Sequence, residues 1–299
     1  MKPLMKLTIF VINILLWSCQ TNSNPQNNTD SKSEKDYSYL DLSDQFKNHW
    51  FDGKAEVASY DLTQMRYGEA REGSAVLIFV KEPFLPKTQV KANNASAKTV
   101  DVMKLNYTKK FNTGIYPYSI MQSVFSPLTT QPHALKVTAT IQEWCGQTYM
   151  QLNNRNQFDI KLHSYFEGEA DQDFKIDKNL LENELWTKLR VNPKNIPTGQ
   201  LKVIPDFSYF RLQHKDVKAY DAQINQVTNK DTLLTILEYQ HIKRTLKVYQ
   251  NSKFPYIILK WQEIENDTTE AILNKSMRID YWTKNANQYQ FLRDSLNLK

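Results

Sequence analysis

The sequence predicts a mainly β, antiparallel fold: a curved sheet, a sandwich or a half-open barrel carrying one or two short helices. Three observations point there. Leu135, Val137, Ala139 and Ile141 alternate with Lys136, Thr138, Thr140 and Gln142, and Phe158, Ile160 and Leu162 alternate with Asp159, Lys161 and His163. That period of two gives a strand one apolar face. Asn153-Asn154-Arg155-Asn156 is turn chemistry, so residues 134–166 read as a long antiparallel hairpin. About a dozen candidate strands then recur at the spacing of an antiparallel sheet protein.

In chain order, Lys2 and Lys6 precede a short apolar run, Leu7 to Trp17, that closes on Leu16-Trp17-Ser18-Cys19. The run is eleven residues long, and a spanning helix needs about 20. The pattern is that of an export signal, and its ending resembles a bacterial lipobox. The resemblance implies a diacylglyceryl group on the Cys19 thiol, removal of residues 1–19 and acylation of the new amino terminus by a chain such as palmitate. Several acyl chains on one residue give stable anchoring without a span, at about 0.8 kcal/mol per buried methylene. Gln20 stands where an aspartate would imply inner-membrane retention, and residues 20–29 hold no acidic run. The resemblance therefore places the protein in the cell envelope as an outer-membrane lipoprotein facing the periplasm. Residues 20–36 are almost wholly Asn, Ser, Thr, Gln and charge, which predicts a flexible polar tether.

Residues 37–299 read as a single β-rich domain. Besides the hairpin, its candidate strands are 54–62, 74–82, 99–107, 115–125, 200–204, 207–213, 218–227, 243–250, 255–263 and 271–282. Asn179 with Glu182 makes a capping-box pattern ahead of Leu181, Leu185 and Leu189, with Pro193 at the exit, so one helix is expected there. Residues 284–298 are a second helix candidate. The Pro-containing stretch 192–205 is the place for a joint between sub-lobes.

Composition excludes more than it assigns. The formal charge is +6; removing residues 1–19 takes away two lysines and no acid, leaving 36 basic against 32 acidic side chains, or +4. This mild, unclustered excess argues against a nucleic-acid partner. Only Cys145 remains after lipidation, so no internal disulfide is expected. The chain has no Gly-rich phosphate loop, no Gly-x-Ser-x-Gly elbow and no His-Glu-x-x-His helix, and its five histidines lack ligand spacing. Glu167, Glu169, Asp171 and Asp173 alternate as calcium ligands do, but Gln172 and Lys178 break the EF-hand pattern. No metal and no cofactor is expected.

Two sets of residues carry the remaining chemistry. Cys145 and Glu143 share the phase of Ala139 and Ile141, so Cys145 reads as a small buried hydrophobe. Glu143 reads as an inward carboxylate beside a bulge at Gly146, the weak candidate for acid or base catalysis. Residues 61–73 read as a charged loop around Tyr67-Gly68, and Phe111, Tyr116, Tyr118 and Phe125 cluster with Pro117 and Pro127. Together Tyr67, Phe111, Tyr116, Tyr118 and Trp144 are the candidate ligand-binding residues, suited to a lipid or a glycan.

The stretches Tyr60-Asp61-Leu62-Thr63-Gln64, Arg66-Tyr67-Gly68-Glu69, Ala75-Val76-Leu77-Ile78-Phe79-Val80, Lys110 to Ser119, Gln142-Glu143-Trp144-Cys145-Gly146 and Leu152-Asn153-Asn154-Arg155 resemble a family of uncharacterised Bacteroidetes-type lipoproteins. Such proteins often carry the label septum formation inhibitor Maf. Maf-type nucleotide pyrophosphatases are cytoplasmic α/β proteins with an early Ser-x-Arg-Arg signature; this chain has neither feature, and no catalytic residue transfers. The half-open barrels of lipoprotein-carrier and related lipid-binding proteins are the structural analogy. The expectation is a membrane-anchored, non-enzymatic scaffold that binds an apolar ligand or an envelope protein. The alternatives are an envelope hydrolase using Glu143 and a structural subunit of an outer-membrane assembly.

Overall fold

The computed structural model describes residues 37–298. The signal segment with Cys19 and the tether 20–36 lie outside the described residues. The first strands are β1 (Ala55–Arg66), β2 (Glu69–Leu85), β3 (Val90–Lys91), β4 (Val100–Thr113), β5 (Tyr116–Pro127), β6 (Lys136–Glu143), β7 (Gly146–Asn154) and β8 (Phe158–Ser164). They are followed by β9 (Gln172–Ile176), β10 (Leu180–Leu181), β11 (Gly199–Ile204), β12 (Tyr220–Asn229), β13 (Thr232–Tyr239), β14 (Thr245–Asn251), β15 (Ile258–Ile264) and β16 (Thr268–Ile279). Four short helices accompany them: α1 (Asp44–Trp50), α2 (Glu182–Val191), α3 (Phe207–Gln213) and α4 (Phe291–Ser295).

Among the described residues all sixteen strands join one sheet. Its order runs from β10 through β11 up to β16, then β1, β2, β4 and on to β9, with β3 paired to the end of β2. Every pairing is antiparallel except β10 with β11. The sheet is mainly β architecture of the expected class, strongly curved, open and not closed into a barrel.

What fills the curve is α2 and α3. Trp186 of α2 lies 5.4 Å from the Tyr107 ring of β4 and 5.3 Å from the Trp261 ring of β15. Leu189 O accepts from Gln250 Nε2 of β14, and Arg190 donates to Glu56 of β1. One helix thus touches strands from both halves of the sheet, and Leu181, Leu185, Trp186 and Leu189 join the inward faces in one core. Fully burying each such side chain contributes roughly 1.5–3 kcal/mol.

Local chemistry sets the helix ends. Leu181 N–H donates to Glu184 Oε1 at 3.2 Å, so the α2 start lies two residues beyond the expected Asn179–Glu182 box. Asp206 caps α3 by accepting from Ser208 N–H at 2.8 Å, and His214 ends it in the left-handed region. Residues 207–213 are therefore helix and not the expected strand. The alternation was misleading because Phe207 to Arg211 are all buried, which erases the one-sided stripe of an ordinary surface helix. The tail forms two short turns, Asn287–Tyr289 and α4, in place of a helix through 284–298.

The largest correction falls in the expected long hairpin. Glu143 pairs with Gly146, so Trp144-Cys145 is a two-residue reversal between β6 and β7, and a second reversal at 155–157 leads to β8. The phase change at Gly146 is this turn, not a bulge. Cys145 is exposed, not buried.

Candidate functional site

The reversals joining β1 to β2, β4 to β5, β6 to β7 and β8 to β9 all fall at one end of the sheet. The last pairs before the first three are Arg66 with Glu69, Thr113 with Tyr116 and Glu143 with Gly146. Adjacent antiparallel strands bring these tips side by side at about 4.8 Å per strand. All five candidate ligand-binding residues and Glu143 consequently meet there.

Phe111 and Tyr118 are an inward cross-strand pair, stacked with ring centroids 4.8 Å apart and 7° between planes. Gly73 lies opposite Phe111, where a Cβ would run into the Lys110 carbonyl and the Phe111 side chain. Tyr116 continues the group, 5.9 Å from Tyr118 and 6.4 Å from Trp144. Phe111 and Tyr118 are buried, whereas Tyr67 is 61% and Trp144 68% exposed. The buried pair is the footing, and the exposed rings lie at the tips with Ile115 and Tyr165, both also exposed.

Tyr67 holds its position at a backbone cost. Tyr67 and Gly68 have φ of 56° and 75°, the geometry of a tight hairpin turn that favours Asn-Gly. The expected charged loop 61–73 is thus mostly strand, with only these two residues turning. The Tyr67 hydroxyl lies 2.9 Å from that of Tyr118, and the Arg66 guanidinium sits 4.3 Å above the Tyr67 ring. Arg66 also donates to Leu212 O at 2.8 Å, and it meets no carboxylate among the described residues.

A second arginine enters from α3. Arg211 is 5% exposed, lies 3.8 Å from the Phe166 ring centroid and approaches His214 Nε2 at 3.5 Å. Its nearest carboxylate is Glu143, at 4.0 Å. Glu143 is inward, as expected, and its other oxygen accepts from Cys145 N–H at 2.8 Å, so it also ties down the turn. Glu143 raises the exposed Cys145 thiol through a hydrogen bond and its charge. Burial, and then the charge of Arg66, pull Arg211 below the ordinary guanidinium value against the opposing pull of Glu169. The Nε atoms of both Arg66 and Arg211 are buried without a hydrogen-bond partner.

Cavities flank α3. One of about 680 Å³ is walled by Met150, Leu162, Phe166, Phe174, Phe210 and Val217, with Arg211, His214 and Lys215 on its polar side. The other, about 220 Å³, is polar and lined by Arg66, Tyr67, Tyr209, Arg244, Glu263 and Glu265. Three of the four alternating acids near the first are engaged: Glu169 with His214, Asp171 with His163 and Asp173 with Lys161.

Sequence reasoning missed the charged groups beneath this end. Arg244 donates to both oxygens of Glu182 and to Glu265, and Lys109 donates to Glu263. Burial opposes the Arg244 charge, but Glu182, Glu263 and Asp206 outweigh it and hold the group well above its ordinary value. Burial alone pushes Glu263 up, and Lys109 and Arg244 bring it below the usual carboxylate range. Burial followed by like charge leaves Asp206 raised. One signal was available: Lys109 lies in phase with Leu105, Tyr107 and Phe111 on the apolar side of β4. A scan of protein-family models matches none of them to this chain, and a search of curated proteins finds no match.

Proposed function

We propose that the protein is a non-enzymatic scaffold anchored through a lipid on Cys19, which uses the aromatic and arginine-bearing sheet end to bind an apolar ligand or an envelope partner. The convergence of Tyr67, Phe111, Tyr116, Tyr118 and Trp144 beside two incompletely paired arginines carries this reading. Exposed aromatic and arginine side chains are the residue types that contribute most at binding surfaces. Outer-membrane placement, facing the periplasm, follows the lipobox-like sequence. Among the described residues no helix is long and apolar enough to cross a membrane.

Two measurements test the reading. Cys19→Ser removes acyl mass and releases the protein from membranes; membrane retention without any acyl mass on the wild type contradicts the anchor. A photo-crosslinking residue at position 144 gives an adduct in intact cells that disappears in Tyr67→Ala/Tyr116→Ala, while position 227, on exposed Val227, gives none. Equal labelling at both positions contradicts the binding surface. The hydrolase alternative draws on Glu143 facing Arg211, and a Glu143→Gln variant that loses a measured envelope hydrolysis activity supports it.

A further inference from the structure

We propose that the cavity beside α3 holds the chain of a single-chain anionic amphiphile, with Arg211 meeting its carboxylate or phosphate head. The inference rests on the binding-scaffold reading and supplies its ligand class. At about 680 Å³ the cavity has the size of a small-ligand site. Phe166, Phe174 and Phe210, accompanied by Met150, Leu162 and Val217, form its apolar side, and polar groups that include Gln172, Arg211, His214 and Lys215 form the other. The apolar side suits an acyl chain and the polar side its head.

Arg211 identifies the head. A buried guanidinium needs carboxylates or equivalent acceptors around its five donors. Arg190 has them in Glu56 and Pro255 O, and Arg244 has them in Glu182 and Glu265. Arg211 has His214 Nε2 at 3.5 Å and Glu143 at 4.0 Å, and its Nε has nothing. His214 donates through Nδ1 to Glu169 at 2.6 Å in the tautomer that leaves Nε2 as acceptor for Arg211, so Glu169 is already engaged. The other acids lining the cavity are Glu167 and Asp216, with Lys215 between Asp216 and His214. Arg66 lies close enough to depress Arg211 and brings a second cation with no carboxylate. An anionic head at Arg211 completes the pairing, and bidentate contact with its planar fork is the expected geometry.

The test uses the full chain carrying Cys19→Ser, which keeps its own acylation out of the measurement. Hexadecanoate, hexadecanoyl-lysophosphatidate and hexadecanol are titrated below their micelle concentrations and followed by calorimetry. At least one anion binds saturably at one per chain, and hexadecanol binds at least tenfold more weakly. Hexadecanoate alone identifies a free fatty acid, lysophosphatidate alone a phospholipid product, and both the shared chemistry. Arg211→Met brings anion affinity down to the hexadecanol level and leaves hexadecanol unchanged, Arg211→Lys restores part of the difference, and Phe174→Trp weakens all three ligands. Urea unfolding confirms that each variant is folded. Equal affinity for hexadecanol and the anions, no saturable anion binding, or folded Arg211→Met with undiminished anion affinity each overturns the proposal. If amphiphile binding fails while the position-144 adduct persists, only the ligand class falls; if both fail, the scaffold reading falls with it.

Discussion

Two regions of this molecule set arginine against aromatic rings, and they treat it in opposite ways. Inside the curve, Arg190 and Arg244 each find a carboxylate that accepts from more than one guanidinium nitrogen. At the sheet end, Arg66 meets only a carbonyl and phenols, and Arg211 stacks on Phe166 with its nearest carboxylate 4.0 Å away. Completed pairs lock α2 to the sheet. Incomplete ones leave donors that another molecule can satisfy. On the proposed reading, the difference separates charge that builds the fold from charge held ready for a ligand.

The strongest way to break that contrast is to strip one member from an interior pair. Arg244→Met leaves Glu182 buried without its partner and is expected to cost about 3–5 kcal/mol, measured by urea unfolding. A cost near zero places Arg244 in the same class as the sheet-end arginines. The Arg190–Glu56 pair gives a comparable effect through pH. Burial pushes Glu56 up, but the charge and hydrogen bonds of Arg190, assisted by His49, bring it from 4.5 to about 2. Because the folded value is depressed, its stabilisation is full above the unfolded value near 4.5. It is lost as pH falls toward about 2. The shift corresponds to about 3 kcal/mol, and Glu56→Gln flattens that part of the acid-unfolding curve.

Packing at the sheet end predicts a smaller loss. Gly73→Ala drives a methyl group into the Lys110 carbonyl and Phe111, and overpacking of this kind costs about 1–3 kcal/mol. Unchanged stability by thermal unfolding contradicts the close β2–β4 approach. Smallest is Tyr67→Asn, where the left-handed turn prefers the new residue. Stability is expected to stay level or rise by about 0.5 kcal/mol while the position-144 adduct weakens. A stability loss above 1 kcal/mol makes Tyr67 a structural residue.

Much of this arrangement was legible, and the unread part has a common cause. Alternation located most long strands, and the aromatic cluster picked out Phe111, Tyr116 and Tyr118, which lie near the tips that carry Tyr67 and Trp144, whereas Phe125 of the same cluster packs on Phe84 toward the other end of its strand. A helix enclosed by a sheet presents no solvent face, so Glu182, Asn183, Glu184, Thr187 and Arg190 are all buried despite their polarity. The same enclosure disguised α3, although Asp206 ahead of Phe207 was a usable capping signal. Phase continuity concealed the Trp144-Cys145 turn: Glu143 shares the face of Ala139 and Ile141, and counting alone carries Cys145 inward. Partners such as Arg244 and Glu182 are joined by topology, across 62 residues, and no local pattern links them.

The central contrast is tested most directly by unfolding Arg211→Met and Arg244→Met side by side in urea, with and without hexadecanoate. The account predicts that Arg244→Met loses about 3–5 kcal/mol and that Arg211→Met stays within about 1 kcal/mol of the wild type but loses the stabilisation that hexadecanoate confers on the wild-type chain. Equal destabilisation by the two substitutions, with the hexadecanoate effect intact in Arg211→Met, contradicts it.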